Sequence, residues 1–147
     1  MSKSNAFETD LLELLFLNTN IANIGDATGL QGSSAAGNFY VSAHTASPGE
    51  AGDQTTSEAG WTSYARVAVP RNGSNWTVTG DTVDNDNNIN FPKSTGGGNF
   101  TVTHLGVGTS VSGAGLLLYY PALTSSKTIE PNDTLVVEAG DLDISED

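Results

Sequence analysis

The feature that most constrains this chain is its cadence. Short runs of alternating or β-branched residues recur along it, each closed by Gly, Asn, Asp, Ser or Pro. FTVTHLGVGT, at 100–109, reads as the best of them, a strand alternating strictly between two faces. Further runs fall at 39–44, 64–69, 76–79, 89–91, 116–120, 128–129, 134–138 and 142–145. LLLYY, at 116–120, reads as buried. PRNGS, with the hairpin-type dipeptide Asn72-Gly73, GDTVDNDNN and EPND supply turn chemistry between them. This pattern predicts an all-β fold, an antiparallel β-sandwich or jelly-roll-like domain. Seventeen glycines and only 15% charged residues suit many tight turns better than a helical bundle.

The first 37 residues break the cadence. Asn5 with Glu8 three residues on reads as a capping box, and Phe7, Leu11, Leu14, Leu15 and Asn18 then recur at helical spacing. Leu12, Phe16 and Leu17 widen the apolar stripe until it nearly encircles the helix. Such a helix must be covered, either by its own domain or by a neighbouring subunit. Phe7, Leu11, Leu14 and Leu15 are therefore the expected interface residues. A Gly/Ser/Ala/Asn-rich connection follows to Gly37, with a short helical turn expected at 20–24. The expected organisation is an N-terminal helix with extended linker, a docking arm, over 1–37, and a β-sandwich domain over 38–147.

Seventeen acids against five bases leave a net charge of −12. Such a chain repels nucleic acid and anionic membranes, and a basic protein surface is its electrostatic complement. There are no cysteines, so disulfides and thiolate metal sites are excluded. The first twenty residues lack a signal-peptide pattern, and no run approaches the roughly 18 apolar residues of a membrane span.

Few residues could carry chemistry. His44 and His104, the two histidines, sit on separate strands that could meet across a sheet. They could serve as base or metal ligand; half-buried structural imidazoles are the preferred reading. Asp81, Asp84, Asp86 and Asn88 offer oxygen ligands for Ca²⁺, although the loop lacks the bend glycine and closing Glu of an EF-hand. Such residues also cap their own turns, which is the favoured account. Trp61 and Trp76 could stack on sugars; burial in a core is the commoner use of an indole. No nucleophile elbow, phosphate loop or dinucleotide fingerprint occurs, so no catalytic residue, metal or cofactor is expected.

The order of several pieces carries a resemblance. HTASPG at 44–49, YAR at 64–66, FPKST at 91–95, THLGVG at 103–108, ALT at 122–124 and AGDL at 139–142 resemble a family of small phage virion proteins commonly labelled tail fibre or minor tail proteins. The resemblance runs from about residue 39 to 145. It implies a non-enzymatic structural protein on the exterior of a bacteriophage particle, either a capsid decoration (cement) protein or a tail or tail-fibre component. The expected partners are other virion proteins, major capsid or tail, and further copies of the chain, with a trimer among the possible assemblies. A carbohydrate- or receptor-binding module using Trp61 and Trp76 is the alternative.

Overall fold

The structure is a computed structural model and describes residues 3–25 and 28–146. Residues 26 and 27 of the expected long connection, and residues 1, 2 and 147 at the ends of the two expected regions, lie outside the described residues. The described residues form one α-helix, α1 (Asn5–Leu12), continued by a π-helical segment (Glu13–Leu17), and ten strands. These are β1 (Asn38–His44), β2 (Val67–Pro70), β3 (Trp76–Thr79), β4 (Thr82–Asn85) and β5 (Ile89–Asn90). After them come β6 (Phe100–Gly108), β7 (Leu117–Tyr119), β8 (Ala122–Ile129), β9 (Val136–Val137) and β10 (Asp143–Ser145). The pairs β1–β6, β3–β4, β4–β10, β5–β9, β6–β7 and β6–β8 are antiparallel, so the expected all-β class with an N-terminal helix is what the chain adopts.

Contacts divide the chain into two compact units. Unit 1 comprises Met1–Asn38, Pro70–Asn88 and Glu138–Asp147; unit 2 comprises Phe39–Val69 and Ile89–Val137. This grouping differs from the division expected at residue 37, because two later segments fold with the N-terminal one.

In unit 1 a three-stranded sheet, β10-β4-β3, packs with the helix. Leu12 and Phe16 are fully buried, and the Phe16 ring meets Trp76 edge-on at 4.8 Å between centroids. Val83, Leu142 and Ile144 complete this core. The helix starts one residue earlier than the expected capping box, because Ser4 accepts from the Phe7 amide through its side chain. At the far end the Arg71 guanidinium donates to the carbonyls of Leu14, Leu15 and Ala36, satisfying groups that a helix terminus leaves open. The connection that follows is tied back on itself. Asn18 exchanges hydrogen bonds with Ser33, Gly32 donates to Asn20, and Ile21 and Leu30 form a β-bridge. Residues 20–24 are thus bridge and turn rather than the expected helical turn.

GDTVDNDNN was expected to be turn throughout, yet its centre is β4. Gly80-Asp81 is a two-residue hairpin loop joining β3 to β4, with Gly80 at φ 64°. Asn72-Gly73 is a turn between strands of different sheets, β2 and β3, and not the expected hairpin.

In unit 2 the sheet order is β2-β1-β6-β7, with β8 also paired to β6. His44 lies opposite His104, and Tyr40 opposite Gly108. β6 departs from strict alternation: Val102 is buried, then Leu105 and Val107 are buried in the other phase, and both faces are covered over 105–108. β8 was expected only at its last two residues. It pairs as Val102↔Lys127 and then His104↔Ala122, so 123–126 are carried out of the ladder. The aromatic core is Trp61, edge-on to Tyr64 (4.8 Å), Phe91 (6.3 Å) and Phe100 (6.2 Å). The expectation that LLLYY is buried does not hold. Leu116 is 62% exposed and the next four residues are half-buried, because β7 is short and pairs with the end of β6.

Candidate functional site

Several of the sequence pieces that carry the resemblance form buried polar ties. His44 is fully buried at the end of β1, where Ser42, two residues back, shares its face. Nδ1 lies 2.9 Å from the Thr56 carbonyl and Nε2 lies 2.8 Å from the Ser42 hydroxyl. A carbonyl only accepts, so Nδ1 carries the proton and Ser42 donates to Nε2. Burial holds this imidazole below its ordinary pKa, which keeps it neutral. The pair has the spacing of a nucleophile and its base. Both members are wholly buried, however, so no solvent-borne substrate reaches either. His104, directly opposite in register, has its Nδ1 2.9 Å from the Thr103 hydroxyl. The two imidazoles therefore serve separate partners.

Gly106 explains part of the THLGVG piece. A β-carbon there would stand 2.5 Å from both His44 Nε2 and Ser42 Oγ. At Gly108 it would stand 2.2 Å from the Gln54 side chain. The alternate glycines of β6 leave the room that His44 and Gln54 fill.

Gln54 is fully buried. Its amide oxygen accepts from Ser110 N at 2.9 Å, its amide nitrogen donates to Tyr40 O at 3.3 Å, and its backbone N–H donates to Ala114 O at 2.9 Å. Nearby, Arg66 and Glu58 form a two-pronged ion pair, Nε–Oε1 and Nη2–Oε2, each 2.7 Å. The arginine side chain is 2% exposed. Two further N–H groups donate to Ser110 O and Gly113 O, both at 2.8 Å. Tyr64 donates to Glu58 at 2.9 Å and accepts from Ala43 N at 3.0 Å. Burial is the main reason that its hydroxyl pKa lies far above the ordinary value. The YAR piece is thus a tie between β1, the 53–58 loop and the β6–β7 loop.

Unit 1 has a tie of its own. Asn85, 1% exposed, donates to Asn87 O and Glu138 O and accepts from Leu142 N. With Asn88, which accepts from Ala139 N, it holds the AGDL piece in place.

The residues expected to bind are spread differently. Phe7 is 39% exposed and Leu11, Leu14 and Leu15 are half-buried, while Leu12 and Phe16 take the core. Trp61 and Trp76 are 2% and 1% exposed. Trp61 donates to Pro92 O at 3.1 Å, whereas Trp76 Nε1 has no acceptor among the described residues. Their ring faces are spent on core neighbours, the commoner use of an indole, and neither offers the alternative sugar platform a face. Asp81 sits at the β3–β4 turn, Asp84 within β4, and Asp86 beyond it, accepting from Thr77. Asp84 lies opposite Asp143. Burial first, then Asp143 and Asp86, raise its pKa. Among the described residues no group of three or more His, Cys, Asp or Glu could hold a metal ion. Nor is any helix among them long and apolar enough to cross a membrane.

Sequence reasoning missed Gln54, Glu58 and Asn85. Their polar partners lie mostly on distant segments, and only the YAR piece pointed near one of them.

The fold and these ties define an antiparallel β protein whose distinctive polar residues hold loops rather than face a cleft. A family model described as Podophage GP4 fiber I protein gp80 matches residues 2–145, and the chain belongs to that family. The resemblance to phage tail-fibre-type proteins is thereby borne out. No curated protein matches the chain.

Proposed function

We propose that this chain is a non-enzymatic structural component on the exterior of a phage particle, built into the tail or its fibres. The observation that carries the reading is the family match over 2–145, nearly the whole chain. The burial of Ser42 and His44 fits it, since the chemically suggestive pair serves as a cross-strand tie.

Attachment to other virion proteins uses unit 1. That unit holds twelve acids against two bases, which suits a basic partner surface. Phe7, Leu11, Leu14 and Leu15 add apolar contact at the helix, each worth only a part of the roughly 1.5–3 kcal/mol of a full side-chain burial, because all four are already partly covered.

Gel densitometry of purified virions against the major capsid protein tests the location. A handful of copies per particle is expected of a tail or fibre component. Hundreds would make the chain a capsid decoration protein instead. Attachment should weaken as salt rises and as pH falls toward the carboxylate range, because both remove the charge contrast. Attachment indifferent to both would leave the apolar helix face as its sole cause.

A further inference from the structure

One side of β8 is unused. The strand pairs with β6, and among the described residues no strand pairs with its other side. Residues 124–128 are all exposed, and since neighbours along a strand point to opposite faces, both faces of β8 are open there. Such an edge presents a row of backbone donors and acceptors to any extended chain. Here the row is cut short. Pro121 and Pro131 flank the strand, and 123–126 leave the β6 ladder, so 127–129 is its regular part. This is the protection that an edge needs, and it favours one short, chosen partner over open-ended stacking.

That regular part borders an open cleft of about 300 Å³, lined by residues 127–129 and 133–136. Ile129 and Leu135 are buried and Val136 is 41% exposed, so an aliphatic contact lies beside the backbone edge. The cleft has room for a few side chains, not for a folded domain. Its charge is particular. Unit 2 holds five acids against three bases. Arg66 is spent on Glu58, whereas Lys127 is exposed and in no ion pair among the described residues. Asp133, the acid on the cleft, accepts from the Glu130 N–H and so closes its own turn.

We infer that this edge and cleft take a short extended segment of a different virion protein, which adds a strand beside 127–129 and sets a carboxylate against Lys127. The inference rests on the fibre reading and names a contact by which such a component is held. The unused edge selects the occupant. Only a polypeptide supplies donors and acceptors at strand spacing; a glycan or a lipid does not. Lys127 selects an acid on that segment, and the aliphatic wall selects an apolar residue one or two positions away. A second copy of this chain is a poor fit, because its strands are already paired in its own sheets.

The first probe is a blocked peptide alternating Val and Thr about a central Glu, titrated against the isotope-labelled full chain. The expected result is amide shifts concentrated in 127–129 and 133–136. Lys127→Glu should weaken this binding by about tenfold and strengthen that of the same peptide with Lys in place of Glu. Val136→Asp should weaken binding of the Glu peptide as well, and Phe7→Asp, in unit 1, should leave both unchanged. Circular dichroism checks that each variant is folded. No binding overturns the inference, and so does binding that the charge swap leaves unmoved. The second probe is a photo-crosslinking residue in place of Thr134, read in purified virions by mass spectrometry. A crosslink to an acid-bearing segment of a different protein is expected. A crosslink to another copy of this chain sinks the inference. Virions that carry the chain without any crosslink also sink it and leave the fibre reading standing. Charge-dependent peptide binding by a chain absent from virions would instead remove the fibre reading and keep the edge as a strand-binding site.

Discussion

Unit 1 and unit 2 solve the same problem with opposite means. Unit 1 carries most of the chain's negative charge, yet its central tie is a neutral amide, Asn85, bonded to backbone groups on three sides. Unit 2 is nearly neutral, yet buries the Arg66–Glu58 ion pair. The central tie of unit 1 is thus neutral although most of the chain's acids surround it, whereas unit 2 spends a charged pair on its own. A buried ion pair binds several carbonyls at once but leaves a stranded charge if one partner goes. A buried amide is the less vulnerable tie.

The comparison breaks most clearly at those two ties. Arg66→Ala should cost about 3–5 kcal/mol, because Glu58 keeps its charge without its partner. Urea unfolding measures the loss, and amide exchange at 110–113 should speed up as the loop is released. Asn85→Ala should cost less, about 2 kcal/mol, because it leaves neutral backbone groups rather than a charge without a partner. An Asn85 effect as large as that of Arg66 would remove the distinction.

The two tryptophans sharpen it further. Trp61→Phe leaves the Pro92 carbonyl without its donor, whereas Trp76→Phe strands no acceptor. Trp61→Phe should therefore be worse by about 1 kcal/mol in the same measurement.

Acid should act on the units with opposite sign. His44 in unit 2 has a lowered pKa when folded, mainly through burial. As pH falls through about 6.5, the unfolded chain takes up a proton that the folded chain refuses, so stability drops. The slope from this one group is at most about 1.4 kcal/mol per pH unit, and His44→Gln should remove it. Asp84 in unit 1 has a raised pKa when folded, so the folded chain takes up its proton first and stability gains as pH falls toward about 4. Thermal melts across pH, with His44→Gln and Asp84→Asn, separate the two.

The smallest expected effect is a gain. Asp143 lies opposite Asp84 on neighbouring strands, and like charges so placed repel. Asp143→Asn should stabilise by about 0.2–1 kcal/mol at low salt, and less at high salt. No change at low salt would show that solvent already screens the pair.

The sequence alone determined the all-β class, the N-terminal helix, and the positions of strands such as β1 and β3, because two-residue alternation and turn chemistry are local. His44 was legible as a strand end, and Phe7, Leu11, Leu14 and Leu15 as helix residues. β4 was hidden because its acids mimic a turn, although Gly80-Asp81 signalled the hairpin. β8 was hidden because Ser and Thr fill its exposed positions. Only the tertiary structure decided that Trp61 and Trp76 are core residues, that Gly106 and Gly108 make room for His44 and Gln54, and that 70–88 and 138–147 join the helix. These depend on which distant segments meet, and burial is a property of that meeting rather than of any residue's own chemistry.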